Sequence, residues 1–311
     1  MTKYNEWTIS YEEEETYGED PETSREWIGI VQESEFSDQK IERKIRGAGL
    51  TGQDYHAIIP ERYEYSGSLP FYIQHGAILQ YVIGKATTTG TDPYTHELTY
   101  DDKLKSVTLE LGNTSGDGDN YVKKYTGTKF GTFSLSGGHD EELQATIDWF
   151  AQDLDDTATS ISTVTSSDVD PYMWKHCKFY LDKGDGSGYV SVDDEITSFD
   201  ITIERNLETK QKAGTSNIRE PDEQGREVSL EAVFDLSDFG DTELATEDTE
   251  INFKIEATRD TDDEFTLELK NLKVLSFDTP PELEGVVAGT LEAEGLAKND
   301  ELVFTDGISS Y

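Results

Sequence analysis

The chain has 311 residues, 66 Asp plus Glu against 26 Lys plus Arg, a formal net charge of -40 at pH 7 and one cysteine, Cys177. That length leaves room for two ordinary domains, and one cysteine excludes an intrachain disulfide or a thiolate metal cluster within a subunit. An acidic chain without a basic stripe and interleaved aromatics also excludes ordinary nucleic-acid recognition.

High charge with a hydrophobic fraction of 34% often means disorder, but 16 Tyr, 13 Phe and 4 Trp, many in alternating runs, supply a core. A nucleic-acid-mimicking or cation-binding surface would also be acidic. The acid is spread over nearly every segment, however, which favours adaptation to molar salt, where the Debye length falls to roughly 3 Å. A halophile is the expected setting.

Residues 1–25 form an N-terminal extension, "MTKYNEWTISYEEEETYGEDPETSR", with no basic region followed by an apolar run. No stretch approaches 18 consecutive apolar residues, so neither secretion nor membrane anchoring is expected. A first domain over 26–154 begins with "EWIGIVQESEF", continues through a polar stretch from Ser37 to Glu61, and returns in "RYEYSGSLPFYI". Pro70 before an apolar run and Gly84 after it bound an amphipathic helix over Phe71–Ile83. "EELQATIDWF" then alternates Leu143, Ala145, Ile147 and Trp149, the period of a half-buried strand.

The Ser/Thr/Asp-rich run over 155–171 is a linker, and a second domain over 172–311 repeats the order of parts. "TSFDITIERN" alternates Phe199, Ile201 and Ile203; a polar stretch follows; "REVSLEAVFDL" alternates Val228, Leu230, Ala232 and Phe234. A shorter helix is expected near Phe239–Ala245, before a closing pair of strands. The expected fold is mainly β, with two tandem sandwich or barrel domains, each carrying a flanking helix and a long inter-strand arm.

The two polar stretches escape the acidity of the body. Arg25–Arg62 and Arg205–Arg226 together hold eleven basic and eleven acidic residues, so the net charge lies elsewhere. Loops longer than about 12–15 residues are usually functional or disordered. A neutral arm lying on the acidic surface of a neighbouring subunit would remove the repulsion that opposes assembly. The alternative is that its cations pair within the arm or with its own domain. Candidate contact residues are Lys40, Arg43, Lys44, Arg46, Lys210, Lys212, Arg219 and Arg226, with Ile41, Ile45, Leu50 and Ile218 as apolar anchors.

"SGSLPFYIQHGAILQYVIG", "TTTGTDPYTHELT", "SVTLELG", "YVKKYTGTKFGTFSLS" and "SFDITIERNLE" followed by "REVSLEAVFDL" occur in that order. Together they resemble the major tail tube proteins of viruses with long non-contractile (siphovirus-type) tails, over most of Trp27–Ala297. The resemblance implies a β-sandwich or partly closed barrel with an arm on adjacent subunits, in a virion structural protein assembled in the host cytoplasm. Rings stack into a hollow tail tube that carries DNA into the host cell without binding it specifically. A chain with two such domains implies trimeric, pseudo-hexameric rings, with hexameric rings the alternative. Tail terminator, tip and tape-measure proteins are the further partners implied. The acidity fits a haloarchaeal virus.

No catalytic chemistry emerges. None of the five histidines has the i, i+4 spacing of a helical metal pair, and "DKGDGSG" lacks the ligand order of a calcium loop. Carboxylate clusters carry no information where 66 acids guarantee them. No nucleophile elbow, phosphate loop or zinc helix is present, so neither an enzyme nor a cofactor is expected. The competing class is an acidic β-sandwich adhesin or binding module of a halophile.

Folding and assembly should depend on salt, since at 0.01 M the Debye length grows to roughly 30 Å and self-repulsion spans a whole subunit. Dialysis from molar to millimolar salt should reduce the β-sheet circular dichroism and the scattering particle size. An unchanged spectrum with unchanged size would refute it.

Overall fold

A computed structural model describes residues 7–21, 25–45, 57–114, 120–165, 169–184, 186–211, 213–235, 250–278, 288–295, 300–309 and 311. The first half contributes β1 (Trp7–Glu13), β2 (Arg25–Trp27), β3 (Glu35–Ile45), β4 (Ala57–Tyr72), β5 (Gly84–Gly90), β6 (Tyr94–Tyr100), β7 (Val107–Thr114), β8 (Asn120–Gly138), β9 (Gln144–Ala151) and β10 (Asp153–Asp155). After β11 (Val164–Thr165) come β12 (Cys177–Asp182), β13 (Val190–Ser191), β14 (Ile196–Glu204), β15 (Leu207–Glu208), β16 (Asp222–Glu223), β17 (Glu227–Asp235), β18 (Glu250–Asp260), β19 (Asp263–Asp278), β20 (Ala288–Gly295) and β21 (Glu301–Asp306). The protein is mainly β, as its alternation dictates: in β17 Val228, Leu230, Ala232 and Phe234 are buried while Glu227, Ser229 and Glu231 face water.

Backbone ladders set the first half in the order β1–β7–β8–β9–β4–β3. The second half repeats it as β12–β18–β19–β20–β17–β14. Even the irregularities recur. The register of β7 on β8 shifts between Val107 and Leu109, and that of β18 on β19 between Ile251 and Phe253. A second shift falls between Phe130 and Thr132 on β8, and between Val274 and Ser276 on β19. Positive φ occurs at Gly127 (63°) and at Asn271 (58°). Each second-half position stands 144 residues after its counterpart (107 to 251, 127 to 271, 130 to 274). Bulges bend a strand at a defined place, so two ladders bulged at the same positions curve alike.

The halves share one sheet. The C-terminal part of β8 pairs with β14 from Gly138–Ser198 to Thr132–Glu204, and β6 pairs with β21. One sheet therefore runs β3–β4–β9–β8–β14–β17–β20–β19, with side chains of both halves in one buried cluster.

Two expectations change. The helix is confined to a 3-10 turn at Ala77–Leu79 and one α turn, α1 (Gln80–Ile83). Phe71 belongs instead to β4: Pro70 and Phe71 face Thr146 and Ala145 on β9, and the Tyr72 amide donates to the Ile30 carbonyl at 3.0 Å. Strand pairing consumed the backbone groups a helix would have needed; Gly84, at φ 135°, still ends it. Trp7–Glu13, within the segment set aside as an extension, form β1, paired along their whole length with β7. The second expected helix, Phe239–Ala245, lies outside the described residues.

Gly67 on β4 stands between Phe36 on β3 and Trp149 on β9. A Cβ there would stand 1.9 Å from the Glu35 carbonyl oxygen and 2.8 Å from the Trp149 ring. Gly67→Ala should destabilise by about 1–3 kcal/mol in urea unfolding at constant salt. Gly225→Ala, with nothing within 4 Å, should stay within about 0.5 kcal/mol. Equal effects would refute the close approach.

Candidate assembly surfaces

The second polar stretch is an arm folded onto the first half of its own chain. Arg205, at its root, is 0% exposed. Its guanidinium donates to the Ile83 and Asp101 carbonyls, both at 2.7 Å, and to the Glu223 carboxylate at 2.6 Å. Beyond it β15 and β16 form a two-stranded ribbon. Ile218 is buried, its carbonyl accepting from Gln152 at 3.1 Å, and Asn217 donates to Asp153 at 3.0 Å. Lys129, only 1% exposed, donates to Glu220 at 2.9 Å. Burial alone would raise the Glu220 carboxyl, but hydrogen bonds from Lys129 and Lys103 outweigh it and hold the group below its ordinary range. A carboxyl lowered in the folded state adds stability above its unfolded value and loses it as pH falls through the folded one. Acid therefore loosens the arm.

The first polar stretch projects instead. Its walls are β3 and β4, paired from Glu35–Ser68 to Ile45–Ala57. Beyond Gln39 and Tyr63 their residues are exposed or half-buried, and Ile58 (54%) and Ile59 (47%) point into solvent. β3 pairs with β4 alone among the described residues, which leaves its other edge open.

Lys40, Ile41, Arg43, Lys44 and Ile45 all lie on this projecting hairpin, where Lys40 reaches Glu42 at 3.3 Å. On the folded arm Lys210 pairs with Glu208 at 2.7 Å, Arg219 with Asp222, and Arg226 with Asp102 at 2.9 Å. The described cations of that arm thus meet carboxylates of their own chain, one of the two alternatives its composition left open. Arg46, Leu50 and Lys212 lie outside the described residues. Reasoning from sequence missed Lys129 as an arm contact and Ile58, Ile59 and the exposed Leu275 as surface apolar groups. The adjacent isoleucines before Pro60 were a legible signal, since a paired strand seldom turns two of them outward.

Among the described residues the sheet thus ends on the unpaired edge of β3, in a projecting hairpin. The family model for phage tail tube proteins matches residues 6–295, and the chain belongs to that family. It is a structural protein of the viral tail. The match includes β1, which lies before the stretch whose motifs carry the resemblance. No curated protein matches the chain.

Arg205→Ala removes the buried cation at the joint and leaves Glu223 with the Leu104 amide but no counter-charge. Unfolding free energy should fall by about 3–5 kcal/mol, the cost of breaking a buried pair. Lys210→Ala, in an exposed pair, should leave it unchanged. If both variants melt alike, Arg205 does not hold the joint.

Proposed function

We propose that this chain closes into trimeric, pseudo-hexameric rings, and that the rings stack into the hollow tail tube of a siphovirus of haloarchaea, with DNA passing through. In this reading the halves are equivalent domains over 26–154 and 172–311, the first extended by β1, joined through 155–171. The carrying observation is the β8–β14 ladder, which joins two sheets of the same connectivity edge to edge. A chain that already contains one lateral contact between two like units gives six units from three copies.

The exposed face of the shared sheet supports passage without binding. One cross-strand row runs Ser136, Asp200, Glu231, Glu292 and Ser276. A second runs Ser68, Asp148, Thr132, Glu204 and Glu227. These rows offer DNA phosphates hydroxyls and carboxylates, and Lys273 on the row between them stands opposite Glu294, so the face gives DNA little to hold it. A terminator, a tip and a tape measure complete such a tail, assembled in the host cytoplasm.

The first arm carries this reading's sharpest test. Purified protein at molar salt should show rings and tubes by negative-stain microscopy, with three chains per ring by mass. Replacing Ile41–Pro60 by a short Gly-containing turn should leave a folded protein that no longer forms tubes. Tubes of normal length from the shortened protein, or six chains per ring, would overturn the assignment.

A further inference from the structure

β9 runs out before β4 does. Its last residue, Ala151, stands opposite Tyr65, while β4 extends the other way to Ala57 as one wall of the projecting hairpin. Past Tyr65 the edge of β4 that faces away from β3 is met by the tip of the folded arm. The Tyr63 amide donates to the Ser216 carbonyl at 3.4 Å, and the Gln211 side chain donates to the Glu61 carbonyl at 3.0 Å. The tip is closed on itself. Gln211 bridges Ile218, its side chain donates a second bond to the Thr215 carbonyl at 3.1 Å, and the Arg219 amide donates to the Lys210 carbonyl at 2.9 Å.

The tip is anchored on the two residues that follow β9, through Asn217 on Asp153 and through Gln152 on the Ile218 carbonyl. Gln152 is wedged in its turn. A Cβ on Gly18 would stand 1.8 Å from its Oε1, and one on Gly127 would stand 2.7 Å from its Cβ. The buried Glu14 carboxylate accepts from both of those glycine amides, at 2.8 and 2.7 Å. The turn after β1 therefore fixes Gln152, Gln152 fixes the arm tip, and the arm tip meets the hairpin.

The geometry points to Gln211, Ser216 and Asn217 as positioning residues for assembly: the folded arm of the second half aims the hairpin of the first. The inference rests on the reading above, in which the hairpin is an assembly element, and adds what sets its direction. A two-stranded ribbon is marginal in water by itself, so one that leaves the sheet needs support near its root. On one face the stacked rings of Tyr63 and Tyr65, 6.2 Å apart, continue through Tyr125 to Trp149 in the core. The bonds at Tyr63 and Glu61 act on the edge instead, about 7 and 14 Å along the strand from the last β9 pair. Bonds placed there resist swinging in the plane of the sheet, which rings on one face do not. A hairpin held in one direction gives up less conformational freedom when subunits join.

Spin labels read the direction of the hairpin in the full-length monomer at molar salt. In a Cys177→Ser background, labels at Arg43→Cys on β3 and Asp148→Cys on β9, both exposed, should give one narrow distance distribution. Adding Gln211→Ala with Asn217→Ala removes the bonds to the Glu61 and Thr215 carbonyls and to Asp153, outside the core, so the thermal midpoint should stay the same while the distribution broadens. Without labels, that double variant should form tubes only at about tenfold higher protein concentration. Asn120→Ala, which removes an exposed bond to the Thr159 carbonyl, should change neither quantity. A distribution of unchanged width, or a broader one with an unchanged assembly threshold, would overturn the inference and leave the ring reading standing. Unaltered protein that stays monomeric at molar salt would overturn both.

Discussion

A strand edge presents a row of unpaired amides and carbonyls, and the β8–β14 ladder is where the two halves of this chain satisfy one another's. From Ser198–Gly138 to Glu204–Thr132 the two halves exchange backbone hydrogen bonds across what would otherwise be two open edges. The ladder brings Arg205 to the carbonyls of Ile83 and Asp101, lays the folded arm over Lys129, and sets β21 beside β6. Without that ladder none of these contacts has a defined geometry.

Charge is distributed to match. The chain has 26 cations for 66 acids, yet Arg25, Lys129 and Arg205 are all buried at joints. Arg25 donates to Glu110 at 3.1 Å and to the Thr108 carbonyl at 3.1 Å, tying β2 to β7. Buried pairs are screened far less than surface pairs, so joints built this way keep their strength at salt concentrations that erase exposed ones. The exposed face bears the opposite arrangement, with Asp200, Glu231 and Glu292 directly opposite one another. Like charges in cross-strand register destabilise a sheet unless salt screens them.

Several elements were legible because their cause is local. Alternation placed β9, β14 and β17 correctly, and the length and neutrality of the two polar stretches set them apart from the strands that flank them. The helix was overextended because Leu69 and Phe71, strand neighbours on one face, continue smoothly into the apolar positions of α1; only the partner strand β9 decides between the periods. β1 was missed because its partner β7 lies about a hundred residues along the chain. Lys129 looked like any surface lysine, since the group that buries it belongs to an arm on the other half.

The sequence alone determined the strand class, the acid-rich surface, the order of parts in both halves and the contrast between neutral arms and acidic body. Each of these is written in side-chain chemistry at a fixed local period. Tertiary structure alone decided that one arm folds back while the other projects, and that the halves share a single sheet. Those outcomes rest on backbone hydrogen bonds between distant strands. Every residue but proline carries the same backbone donor and acceptor, so nothing in composition or spacing names the edge that will be paired.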